Sequence, residues 1–140
     1  MKFYKILILF LISLAILIVT ILRIKEKYEE DDDMLVDLRK EFQAVFPVEM
    51  KQVILLRGEK SYTINKKRVY LCLRDADNNY YPKNMLAYVL LHELAHVKCD
   101  EIGHTEKFHT IFNQLLQTAI ANNLYDPNIP IIRDYCEYNS

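Results

Sequence analysis

Only two glycines and four prolines occur among the 140 residues, against ten tyrosines, and that scarcity excludes low-complexity or linker-like organisation in favour of a compact, ordered chain. Cysteine is scarce as well. Cys72, Cys99 and Cys136 are odd in number and widely spaced, so they predict neither a metal knuckle nor a disulfide framework, and they fit a reducing compartment. An excess of charge of one sign is also lacking. With 18 Lys and Arg against 19 Asp and Glu, the net charge of −1 lacks the basic balance usual in a dedicated nucleic-acid binder. The acidic group Asp75-Ala76-Asp77-Asn78-Asn79 has no glycine and no terminal glutamate of the kind an EF-hand uses, which predicts a turn there and not a calcium loop.

Apolar residues are plentiful, at 51%, and at this length one domain plus a membranous segment is expected. Phe3 to Leu22 is almost wholly apolar, and the 17 residues from Ile6 to Leu22 are at the lower end of what crosses a bilayer, with Lys2, Lys5 and Arg23 able to snorkel to its interfaces. Leu22-Arg23-Ile24-Lys25-Glu26 offers no small-residue cleavage site, so an uncleaved anchor is expected over a signal peptide. Arg23, Lys25 and Lys27 after the span, against Lys2 and Lys5 before it, favour a cytosolic domain on a single-pass membrane protein. The expected organisation is an anchor over residues 1–24, a charged linker over 25–33 and a folded domain over 34–140.

Within that domain a helix is expected from about Met34 to Phe46, with Leu35, Leu38, Phe42, Val45 and Phe46 at helical spacing, capped by the aspartates before it and ended by Pro47. Short β-branched and aromatic runs then predict three strands: Val53 to Leu56, Ser61 to Asn65 and Arg68 to Arg74. Lys60, Lys66, Lys67 and Arg68 cluster at the turns, where a hairpin rim is the simpler reading and a nucleic-acid contact the sharper one. A last helix is expected from Thr105 to about Asn122, with Phe108, Ile111, Phe112, Leu115, Leu116, Ala119 and Ile120 on one stripe. The tail around Tyr135, Cys136 and Tyr138 is irregular; a tyrosine from it could stabilise an oxyanion.

The chemistry concentrates in His92-Glu93-Leu94-Ala95-His96. On a helix, residues four apart share a face, so His92 and His96 can turn ring nitrogens toward one ion, with Glu93 beside it as acid/base. The apolar run from Met85 to Leu91 makes this helix a buried one, where two histidines and a glutamate need partners to offset several kcal/mol of desolvation; a metal supplies one. A catalytic zinc takes three protein ligands and keeps an open position for water. His104 is the leading third ligand, because Gly103 lets the chain double back and Thr105 caps the next helix. His109, Glu101, Glu106 and Cys99 are its rivals, each read more simply as a solvated or buried residue of its own element.

His92-Glu93-Leu94-Ala95-His96, followed by Gly103-His104-Thr105-Glu106-Lys107-Phe108, resembles the core of the small zincins of the WLM and SprT-like group, and the resemblance extends over about Tyr62 to Leu116. Short metalloprotease-like proteins of giant DNA viruses look similar. The resemblance implies an α+β fold, a small zincin-like domain of helix, short antiparallel or mixed sheet, paired-histidine helix and further helix, here preceded by one N-terminal transmembrane helix. It also implies His92, His96 and His104 as zinc ligands, Glu93 as the catalytic residue and a peptide or protein substrate that pairs with the sheet edge. His104 follows His96 by eight residues, whereas a spacing of about six is commoner in such sites. The expected function is membrane-anchored, zinc-dependent peptide hydrolysis. The alternatives are a metal-stabilised binding module and a protease acting on nucleic-acid-bound proteins.

Overall fold

The computed structural model describes residues 2–30 and 32–137. Helix α1 (Lys2–Glu30) contains an apolar segment, Lys2–Lys25, of 24 residues, about 36 Å long at 1.5 Å per residue and so long enough to cross a hydrocarbon core of about 30 Å. Every large apolar side chain from Phe3 to Ile24 is exposed. The hydroxyl of Thr20 donates to the Ile16 carbonyl at 2.8 Å, which satisfies its proton within the helix as an apolar surrounding requires. The charged stretch expected as a linker is helical through Glu30, in keeping with its Lys and Glu content and its lack of glycine or proline. Asp31 lies outside the described residues.

Helix α2 (Asp33–Val45) begins as expected: the Asp32 carboxylate caps it, accepting from the Met34 N–H at 3.0 Å. Leu35, Leu38 and Phe42 fall on one face and are buried. Pro47 ends this helix and opens a single turn, α3 (Pro47–Met50), because its fixed φ suits a first helical position.

Strands β1 (Ile54–Arg57), β2 (Tyr62–Ile64) and β3 (Arg68–Leu71) form a mixed sheet in the order β1-β3-β2, with β1 parallel and β2 antiparallel to β3. The three-residue β2–β3 turn takes positive φ at Asn65 and Lys66, and the Lys67 N–H closes it by donating to the Ile64 carbonyl at 3.1 Å. Lys66 also reaches the carbonyl of Cys99, tying the turn to the far end of the next helix, whose carbonyl end favours a cation. Gly58 is needed where the chain leaves β1, since a Cβ there would stand 2.8 Å from the Lys60 carbonyl oxygen. The expected third strand stops short of Arg74, which forms an isolated bridge with Tyr80 around the Asp75 turn. That turn is closed by the Asp75 carboxylate, which accepts from the N–H groups of Asp77 and Asn79.

The register fixes what lies on each face. Leu55, Val69 and Thr63 are cross-strand partners and point to one side, with Leu71 two residues on; Tyr62, Ile64, Arg68 and Tyr70 take the other, where the Tyr62 and Tyr70 rings stack at 4.7 Å. Helix α4 (Lys83–Lys98) crosses the first face, and α5 (Glu106–Ala121) packs on α4. Leu38, Phe42, Leu55, Val69, Leu71, Leu86, Leu90 and Leu94 form the centre of the core between α2, the sheet and α4.

The cysteines correct the sequence-based expectation. Cys72 and Cys136 are joined as a disulfide, with Cα atoms 6.4 Å apart across 64 residues of sequence, while Cys99 is free and buried. The segment after α5 folds back beside the end of β3, a proximity that spacing along the chain does not encode. The cysteines therefore do not indicate a reducing compartment, where a disulfide is transient or regulatory.

Candidate metal centre

Helix α4 carries His92 and His96 one turn apart, and both rings emerge from its buried body at half-buried positions. The chain leaves α4 at Cys99, whose N–H donates to the Ala95 carbonyl, and turns back through Gly103 at φ +85°. Nothing lies within 4 Å of the position a Cβ would take on Gly103, so this glycine is required by backbone conformation and not by space. Asp100 and Lys107 pair across the loop at 2.6 Å. Thr105 then starts α5, its hydroxyl oxygen accepting from the Phe108 N–H at 3.3 Å, and His104 is held immediately before that cap.

The result is convergence. The Nε2 atoms of His92, His96 and His104 stand 3.2, 3.2 and 3.1 Å from one another. Three nitrogens each ~2.0–2.1 Å from a tetrahedral ion would be ~3.3–3.4 Å apart, so the triangle fits one zinc-sized ion. A neutral imidazole has one N–H, and three such nitrogens facing one another cannot all be satisfied by mutual hydrogen bonds; a shared cation satisfies all three. Burial, and then the neighbouring histidines His96, His104 and His109, pull the His92 imidazole down to about 4 from 6.5. Burial and His104 lower that of His96 as well. Both rings are therefore neutral near pH 7, the form that ligates.

Phe108 underlies the cluster. Its ring is 5.0 Å from His92, 4.4 Å from His96 and 4.9 Å from His104, centroid to centroid, and is itself buried. The Thr105 cap sets where this first turn of α5 falls, so one hydroxyl positions both the third histidine and the apolar floor. Among the described residues, His92, His96 and His104 are the group whose side chains could hold a metal. The rivals for the third place are elsewhere: the His109 ring is 6.4 Å from that of His104, Glu101 lines the cleft without joining the cluster, Glu106 stays in the first turn of α5, and Cys99 is in the core.

Glu93 is only 5% exposed. Its Oε2 accepts a hydrogen bond from Thr63 at 2.6 Å, which leaves Oε1 for other work. Burial raises its carboxyl above the usual range, and the Thr63 bond opposes that rise. Thr63 is a site residue that sequence reasoning missed: only the β2–β3 register shows that it faces α4. A cleft of about 580 Å³ runs between β2 and the 101–104 loop, with His92, Glu93, His96 and His104 along it.

Tyr135, the tail tyrosine considered for an oxyanion, lies near Glu93 but is engaged. Its hydroxyl donates to the Cys72 carbonyl at 2.5 Å and is 2.8 Å from Ser61 Oγ, which accepts from the Cys72 N–H at 2.9 Å. Burial raises its phenol well above the usual value. Tyr138 lies outside the described residues.

The fold and site define a zincin-like α+β domain that follows an apolar helix and carries, among the described residues, one candidate metal centre. Residues 62–125 match the WLM domain family, a span that contains all three histidines, Glu93 and Thr63. The chain resembles viral proteins as well. It is 50% identical over 90 residues to Uncharacterized protein 136R of Invertebrate iridescent virus 6, covering 62% of this chain and 51% of that one. It is 51% identical over 83 residues to Uncharacterized protein 042R of Invertebrate iridescent virus 3, covering 59% and 52%. A protein of Acanthamoeba polyphaga mimivirus is 42% identical over 80 residues, covering 56% and 40%. The chain spans about half the length, or less, of the curated relatives it matches. No solved structure matches it.

Proposed function

We propose that this chain is a membrane-anchored, zinc-dependent metallopeptidase that hydrolyses peptide bonds. The observation that carries the reading is the convergence of three Nε2 atoms within 3.1–3.2 Å of one another beside a buried glutamate. His92, His96 and His104 would hold the ion. When bound, zinc supplies Lewis acidity toward a carbonyl and lowers the pKa of water. Glu93 does the proton work at Oε1, taking a proton from the attacking water and passing it to the leaving amine, while the Thr63 hydroxyl steadies Oε2. The exposed edge of β2 offers backbone groups to an extended peptide lying along the cleft.

The test uses the full chain in detergent, with metal counted by elemental analysis and peptide cleavage followed by mass spectrometry. One zinc per chain, lost in His92→Ala and His104→Ala and kept in Glu93→Gln with cleavage abolished, supports the reading. A folded chain that takes up no zinc sinks it. Retained function in Glu93→Gln would instead mean a metal-stabilised binding module. Action on nucleic-acid-bound protein has weaker support, since Lys66 of the basic cluster is committed to the Cys99 carbonyl. Salt-sensitive DNA binding would revive it.

The basic residues at the two ends of the apolar run of α1 favour a cytosolic domain, where the Cys72–Cys136 bond would be reversible. Digestion of the domain by protease added outside sealed cells would overturn that orientation.

A further inference from the structure

A second cavity, of about 430 Å³, opens beside the metal centre and shares Ser61, His92 and Glu93 with the substrate cleft. Its floor is the preceding turn of α4: Val89 lies three residues before His92 and four before Glu93, and Met85 one turn further back, so all project to one side of the helix. Tyr88 closes one flank, backed by Phe112 and Tyr125 at ring distances of 5.4 and 5.7 Å. The opposite wall is made by Tyr135, Cys136 and Glu137, which end the irregular strap 132–137.

Side-chain and backbone bonds hold that strap. Cys136 is bonded to Cys72, and its N–H donates to the Tyr81 hydroxyl at 2.9 Å. The Tyr135 hydroxyl is closed into the ring with Ser61 and Cys72, its aromatic ring lies 4.8 Å from that of Tyr81, and the Ile132 N–H reaches Met85 Sδ at 3.4 Å. The disulfide is the covalent tie among them.

We propose that the cavity between α4 and the strap receives a large apolar side chain of the peptide substrate, and that the Cys72–Cys136 disulfide sets its width by holding the strap. Three observations point to that occupant. The cavity borders the cleft at Ser61, His92 and Glu93, which line both, so a peptide lying along β2 is placed to carry one side chain into it. Met85, Tyr88, Val89 and the Tyr135 ring make its interior apolar, with Lys60 and Glu137 also on its lining. Its size admits a leucine, methionine or phenylalanine side chain with room to spare. The inference rests on the metallopeptidase reading and adds a substrate class to it: peptides with a large apolar residue next to the scissile bond.

The experiment uses the zinc-supplemented full chain in detergent and three peptide hydroxamates that differ only in bearing a glycine, leucine or phenylalanine residue beside the chelating group. Zinc is counted by elemental analysis and affinity measured by calorimetry. The leucine and phenylalanine compounds are expected to bind roughly 10- to 100-fold more tightly than the glycine compound, the gain from burying such a side chain. Val89→Trp, which fills the cavity, is expected to reduce that preference to about threefold or less with the zinc content retained. Reduction of the wild type with a phosphine, which needs no substitution, is expected to narrow the preference several-fold, again with zinc retained. A zinc-loaded wild type that binds all three compounds equally overturns the pocket and leaves the metal centre standing. A preference untouched by reduction overturns the role of the disulfide. A chain without zinc sinks the metallopeptidase reading and the pocket with it.

Discussion

Helices α1 and α4 are both strongly apolar, yet every large apolar side chain of α1 from Phe3 to Ile24 is exposed while Met85, Leu86, Val89, Leu90, Leu91 and Leu94 of α4 are buried. Composition alone does not separate them. What does is the polar content each must accommodate: α1 has only Ser13 and Thr20 in its middle, Thr20 bonded to its own backbone, whereas α4 holds two imidazoles and a carboxylate that find partners on β2, the 101–104 loop and α5. An apolar helix that satisfies itself suits lipid; one that cannot becomes the organising element of a folded site.

The sharpest way to break the comparison is a charge. Leu90→Asp, at a fully buried position, should abolish folding, because an unpaired buried charge costs several kcal/mol against a total stability of about 5–15 kcal/mol. Leu11→Asp should leave the domain folded and lower the fraction of chain that resists alkaline extraction from membranes. Near-ultraviolet circular dichroism and membrane fractionation read the two outcomes. Next in size is the metal: zinc at about 100 times its dissociation constant should stabilise the domain by about 2.7 kcal/mol, an increment absent in His92→Ala and visible in thermal unfolding.

Thr63→Val tests the partner that α4 finds in the sheet. Loss of the hydroxyl leaves a buried carboxylate oxygen unpaired and should cost about 1–3 kcal/mol in denaturant unfolding, with Thr63→Ser restoring most of it. The pH dependence of the metal-free chain tests the same site without an ion. His92 titrates at about 4 when folded and near 6.5 when unfolded, so between those values the unfolded chain binds more protons and stability falls as pH falls. The raised carboxyl of Glu93 acts with the opposite sign, its contribution being lost as pH rises through the folded value. His92→Gln should flatten the acid-side decline in melting temperature between pH 6.5 and 4.

How much of this was legible in the sequence follows from the range of each interaction. The paired histidines and Glu93 could be read because helical spacing is local, and His104 because Gly103 and Thr105 mark a turn and a cap within a few residues. Thr63 was not, since its meeting with Glu93 spans 30 residues and depends on strand register. The Cys72–Cys136 bond was hidden for the same reason over 64 residues. The charged stretch after the span read as a linker because acidity resembles solvation, yet its residues are good helix formers and α1 continues through Glu30.

That continuation has a consequence for encounter. From Arg23 to Glu30 the helix adds eight residues, about 12 Å, before the Asp32 cap begins α2, so under the proposed function the site would stay within a thin shell over the lipid. Targets confined to the same surface would meet it by diffusion in two dimensions at a high local concentration, and targets in bulk solution would meet it seldom. Selectivity would then begin with address, before any side chain enters the cleft.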